Sequence, residues 1–127
     1  MRITLSSIHI NDQEEALTFY THTLGFVKKQ DLRSGDYRWL SVSSNSESSL
    51  ELVLEPNEHP AALAYQKALY KDGIPATSLE VDNIHKTHEQ LLAKGVTFKM
   101  PPTDVGSAWI AVFDDTCGNW IQIHKQN

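Results

Sequence analysis

The sequence has a single cysteine, Cys117, so no disulfide can form within the chain, and a reducing compartment is its expected home. No apolar run approaches the roughly 20 residues of a membrane-spanning helix. The opening Met1-Arg2-Ile3-Thr4-Leu5-Ser6-Ser7 lacks the apolar core of a secretory signal. These absences predict a cytoplasmic protein with no membrane partner. Runs of Lys or Arg are missing too, and a net charge of -5 argues against nucleic acid as a partner. There is no glycine-rich phosphate loop and no serine-hydrolase elbow, which removes two large enzyme classes. The 127 residues, 40% of them hydrophobic and 21% charged, are enough for one domain with a core.

What the chain does have is a repeat. Leu50-Glu51-Leu52-Val53-Leu54 and Trp120-Ile121-Gln122-Ile123-His124 both alternate in the manner of half-buried strands. An offset of 71 pairs Glu51 with Gln122, and the same offset pairs Ser7 with Ser78 and Ile8 with Leu79. A period of this length indicates a duplicated module rather than a solenoid.

Each copy reads as βαβββ. In the first, residues 2–10 alternate as a strand. Asp12 is an N-cap with Glu15 at the capping-box position. Leu17, Tyr20 and Leu24 form an apolar stripe, and Gly25 ends the helix. Strands follow over 26–30, 37–43 and 50–54. A connector over 56–72 carries a helix opened by Pro60 and capped by Gly73. The second copy has strands over 76–81, 96–100, 108–113 and 120–124. Its helix starts at Asp82-Asn83, carries Ile84, Leu91 and Leu92, and ends at Gly95. Pro101-Pro102 is expected to break the chain. The expected class is α+β, with modules over 1–55 and 73–127 curling around one shared cup.

Alternation sends Ser7, His9, Tyr37, Trp39, Glu51, Ser78, Glu80, Trp120, Gln122 and His124 to the side away from the helices. A polar and aromatic face of this kind suits a ligand better than a core. Glu51 is the candidate general base, because burial raises a carboxyl pKa. His9 and His124 could join Glu51 in a displaced metal site or simply be hydrogen-bonded histidines. His85 and His88 are read as a solvated helix face, and Cys117 as structural.

Taken together, Ala16-Leu17-Thr18-Phe19-Tyr20, Leu24-Gly25-Phe26, Lys94-Gly95-Val96 and Asp114-Asp115 followed by Gly118-Asn119 resemble the vicinal-oxygen-chelate superfamily. This is the group of glyoxalases, bleomycin-resistance proteins and extradiol dioxygenases. The resemblance covers nearly the whole chain. It implies paired βαβββ modules, a homodimer and, in metal-using members, four ligands on the first and last strands of the modules. Those positions fall here on Leu5, Glu51, Ala76 and Gln122. Leu5 and Ala76 cannot bind a metal, so no metal and no other cofactor is expected. The reading is a small-molecule binder for an aromatic or cationic ligand, with His9, Trp39, Glu51, Trp120, Gln122 and His124 as binding residues. The alternative is a lyase, isomerase or dioxygenase using Glu51 as base and a shifted metal site.

Overall fold

Strand alternation and two capped helices build the same unit twice. In the computed structural model, which describes residues 1–127, the elements are β1 (Leu5–Ile10), α1 (Gln13–Thr18), β2 (Val27–Ser34), β3 (Tyr37–Ser43), β4 (Glu51–Pro56), α2 (Pro60–Asp72), β5 (Thr77–Glu80), α3 (Ile84–Ala93), β6 (Phe98–Asp104), β7 (Ala108–Asp114) and β8 (Trp120–Gln126). The strands form two four-stranded sheets, ordered β1-β4-β3-β2 and β5-β8-β7-β6. The second order is the first with every strand number raised by four, as a duplication requires. In each sheet the first strand of the module runs parallel to the last, and the other pairs are antiparallel. The chain is α+β, and it divides into two compact units, Met1–Ala64 and Tyr65–Asn127. The division falls inside α2, so the helix expected as a separate connector contributes to both.

In the first unit, the side chain of Asp12 accepts the amide of Glu15 and starts α1. After Thr18 the helix widens into a π turn over Phe19–Thr23, and Gly25 ends it at φ 87°. Ala16, Phe19 and Tyr20 bury with Ile8, Ile10, Leu40, Val42 and Leu54. Burying each large side chain contributes about 1.5–3 kcal/mol. Arg38 faces the same side. Its guanidinium meets Asp31 at 2.8 and 2.9 Å and also pairs with Glu14 of α1. The pair holds the Asp31 carboxyl down at about 2. The ladder between β3 and β4 pairs Ser41 with Val53 and Val42 with Leu52. Beyond it, the Gln13 amide donates at 3.0 Å to the carbonyls of both Arg38 and Leu54, so α1 satisfies backbone acceptors outside that ladder.

In the second unit, the side chain of Asn83 caps α3 by accepting the amide of Lys86. Ile84 and Leu91 bury, but Leu92, expected on the apolar stripe, is 48% exposed. The expected break at Pro101-Pro102 does not occur. β6 runs through both prolines with register shifts between Phe98 and Thr103. An edge strand tolerates this, because one side of it needs no ladder donors. His85 and His88 pack edge-on against Trp109 and Phe98, with centroids 4.8 and 4.5 Å apart, rather than forming a purely solvated face.

The turn into β8 is organised by a fully buried carboxylate. Asp115 Oδ1 accepts the amides of Cys117 and Asn119 at 2.7 and 3.0 Å, and Oδ2 accepts the Asn119 side-chain amide at 2.9 Å. Gln66 of α2 donates to the Cys117 carbonyl and to Asn119 Oδ1. Gly118 sits beneath it at φ 103°, where a Cβ would lie 2.7 Å from Gln66 Nε2. Cys117 is buried in this turn, as a structural thiol would be. Replacing Asp115 by Ala leaves three buried donors without their acceptor. Denaturant unfolding is therefore expected to show a loss of about 3 kcal/mol or more for Asp115→Ala, and a loss below 1 kcal/mol would contradict this account of the turn.

Candidate functional site

The register assigns each strand residue to a side. In the first unit, Leu5 lies opposite Glu51, Ser7 opposite Val53 and His9 opposite Glu55. Ser41 pairs with both Val53 and Gln30, and Leu32 pairs with Trp39. Arg38, Leu40 and Val42 take the helix side, so Trp39, Ser41, Gln30, Leu32 and Glu51 share the other, helix-free side. His9, Trp39 and Glu51 thus lie where alternation put them, each half-buried.

Glu51 is not the residue that burial alone predicts. Its carboxylate accepts Ser41 Oγ at 2.6 Å and Gln30 Nε2 at 2.7 Å. These bonds favour the charged form and outweigh desolvation, so the carboxyl sits below its ordinary value of 4.5 instead of above it. The expectation of a raised pKa fails because two neutral donors reach the carboxylate. A carboxylate stabilised in this way is a weaker base, though a well-held anion. Both bonds end on Oε1. Oε2 has no partner within the protein. Ser41 could be read from β3 alternation. Gln30 could not, because a bulge between Lys28 and Gln30 decides which side it takes.

Three of the four basic residues of β2 and β3 take the helix side. Lys28 pairs with Val42 and Arg33 with Arg38, which puts both on the helix side with Arg38. Lys29 sits in the bulge, and its Nζ donates to the Ser46 carbonyl at 2.8 Å. On the helix-free side, Glu55 accepts the Tyr37 hydroxyl at 3.0 and 3.2 Å. Burial, then the bond to Glu55 and its charge, raise the Tyr37 pKa.

In the second unit, Gln122 pairs with Ser78 and Val112, and His124 pairs with Glu80 and Ile110. Gln122 Nε2 donates to Ser78 Oγ at 2.8 Å, and Ser78 Oγ lies 2.7 Å from His124 Nδ1. That arrangement leaves Gln122 Oε1 as an acceptor, with the His124 ring held beside it through Ser78. Trp120 has a partner of its own. Its ring stacks on Tyr70 at 4.7 Å and 5°, and its N–H donates to the Tyr70 carbonyl at 2.9 Å. Lys99 Nζ lies 5.4 Å from its centroid. Tyr70 also donates to Asp114, which raises the Tyr70 pKa. Trp120 therefore serves packing against α2, a partnership that strand alternation could not reveal.

The residues at the superfamily's metal positions do not fit a resident transition ion. Leu5 and Ala76 carry no donor atom, and Gln122 offers a neutral amide already bonded to Ser78. Glu51 is the one anion among them. The register also sets Ser78, not Ala76, opposite Gln122, while Ala76 precedes β5. No group of three or more His, Cys, Asp or Glu is placed to hold a metal. No helix is long and apolar enough to cross a membrane.

A family model described as Glyoxalase/Bleomycin resistance protein/Dioxygenase superfamily matches residues 3–123. The uncharacterized protein YurT of Bacillus subtilis (strain 168) is 52% identical over 124 residues, spanning 97% of this chain and 98% of that one. Among solved structures, UcmS2 is 32% identical with a TM-score of 0.84, covering 98% of this chain and 97% of that one. TnmS3, an antibiotic binding protein from Streptomyces sp. CB03234, is 25% identical with a TM-score of 0.80, covering 100% and 97%.

Ser41 is the first cause of the lowered Glu51 pKa. The folded-state stabilisation from this carboxylate is full above its ordinary value of 4.5 and is lost as pH falls through the lowered folded value. Ser41→Ala is expected to move the Glu51 midpoint upward in a carbon-detected NMR titration. An unmoved midpoint would show that the Ser41 bond does not set it.

Proposed function

The chain belongs to the Glyoxalase/Bleomycin resistance protein/Dioxygenase superfamily, and from that premise we propose that it binds a small aromatic or cationic molecule, without a resident metal, on the helix-free faces of its modules. The reading rests on one likeness: along its whole length the chain resembles a protein described as an antibiotic binding protein. Supporting it, the binding face of the first module offers Trp39 beside Glu51, an aromatic surface beside an anion. The second offers the Gln122 side-chain oxygen and the His124 ring, joined through Ser78.

The alternative, a lyase, isomerase or dioxygenase with Glu51 as base, is weakened by the two donors on Glu51. They lower its pKa and so its basicity. It is also weakened by the donor chemistry at Leu5, Ala76 and Gln122. A binder needs neither a base nor a metal. The proposal includes a homodimer, since the edge strands β1 and β2 carry exposed Leu5 and Leu32.

Protein purified without added metal is expected to hold no stoichiometric iron, zinc or nickel by elemental analysis and to show no glyoxalase activity. Light scattering at micromolar concentration is expected to give twice the chain mass. Stoichiometric metal released by Glu51→Ala would replace the binder reading with the enzymatic one.

A further inference from the structure

Glu51 is an ionised side chain held by two neutral groups. The nearby carboxylates of Asp31 and Glu14 have Arg38 as their counterion. Glu51 has none within 4 Å, although β2 and β3 carry Lys28, Lys29, Arg33 and Arg38. The register turns three of these to the helix side, and the bulge binds Lys29 to the Ser46 carbonyl. The helix-free side of the sheet thus keeps the carboxylates of Glu51 and Glu55, the latter bonded to the Tyr37 hydroxyl, and Lys29 is the one basic residue of these strands whose charge reaches Glu51, without forming an ion pair with it.

The two bonds to Glu51 also decide which oxygen is available. Ser41 and Gln30 both take Oε1 and fix the carboxylate plane, and Oε2 is left to accept. Beside it along β3 lies Trp39, half-buried, and across from Trp39 lies Leu32, 60% exposed. Ser41 touches Glu51, and Trp39 is two residues further along β3. The anion and the indole are therefore separated by about 7 Å along the strand.

We propose that this face takes an organic cation, an aromatic amine or amidine, whose charged nitrogen bonds Glu51 Oε2 while its ring lies on Trp39 and Leu32. The assignment deepens the small-molecule reading and rests on it: it names the ligand's charge and the residue that selects it. The complementarity is electrostatic and geometric. A neutral ligand leaves Oε2 facing an apolar surface, and an anion is repelled. An ammonium group about 7 Å from a ring centre meets both features at once.

The test uses two fluorescent probes of matched size, naphthylethylammonium and naphthylpropionate, titrated into the full-length protein at neutral pH. Wild type is expected to bind the cation at least about tenfold tighter than the anion. Glu51→Gln keeps the side-chain shape and the acceptor for Ser41 and Gln30, and it is expected to erase that preference. Trp39→Ala is expected to weaken both probes while leaving the preference in place. Equal binding of the two probes by wild type, or a preference that survives Glu51→Gln, overturns the cation assignment. If Trp39→Ala still weakens both in that case, the small-molecule reading stands without it. Binding of neither probe at millimolar concentration overturns both.

Discussion

A β-strand has two sides, and in each module a helix takes one of them. α1 is held to its sheet by packing on Ile8, Leu40 and Leu54 and by the Gln13 amide bonded to the carbonyls of Arg38 and Leu54. Once that side is apolar and covered, the period-two alternation of β1, β3 and β4 leaves no freedom for the other. Shifting any strand by one residue would carry Glu51 or Trp39 into the helix layer and Leu40 out of it. The polar face is thus a consequence of the same constraint that builds the core.

Within that face, the energetics of Glu51 point away from stability as its purpose. A hydrogen bond to a charged group contributes about 1.5–3 kcal/mol. Two such bonds offset the partial desolvation of the carboxylate. They do not supply the counterion that Arg38 gives Asp31 across the same sheet. Glu51 is half-buried, and a neutral side chain there would need no counterion. The second module differs at the equivalent place. Gln122 stands where the first has Glu51, and its amide joins Ser78 and His124 in a chain of hydrogen bonds. The same scaffold thus carries a carboxylate at this place in one module and an amide in the other.

Much of this was legible in the sequence, and the rest failed for identifiable reasons. The repeat, the Asp12 and Asn83 caps, the Gly25 and Gly95 helix ends and the side taken by Glu51 depend on local periodicity and turn chemistry, which a sequence carries. β6 continues through Pro101-Pro102, where the sequence predicts a break, because the sequence does not say which strand lies at an edge. The Glu51 pKa runs opposite to the expectation from burial because Ser41, and then Gln30 through a bulge in β2, donate to the carboxylate. Trp120 could not be assigned to Tyr70, 50 residues away, from alternation alone. The common factor is contact between elements, which pattern does not encode.

The claim that the helix-free face of the first module is where a ligand sits is tested most directly by mapping amide and indole NMR shifts during titration with an aromatic amine. The account predicts that the largest shifts fall on Gln30, Leu32, Ser41, Glu51 and the Trp39 indole. Largest shifts on α1, or on Arg38, Leu40 and Val42 of the covered side, would contradict it.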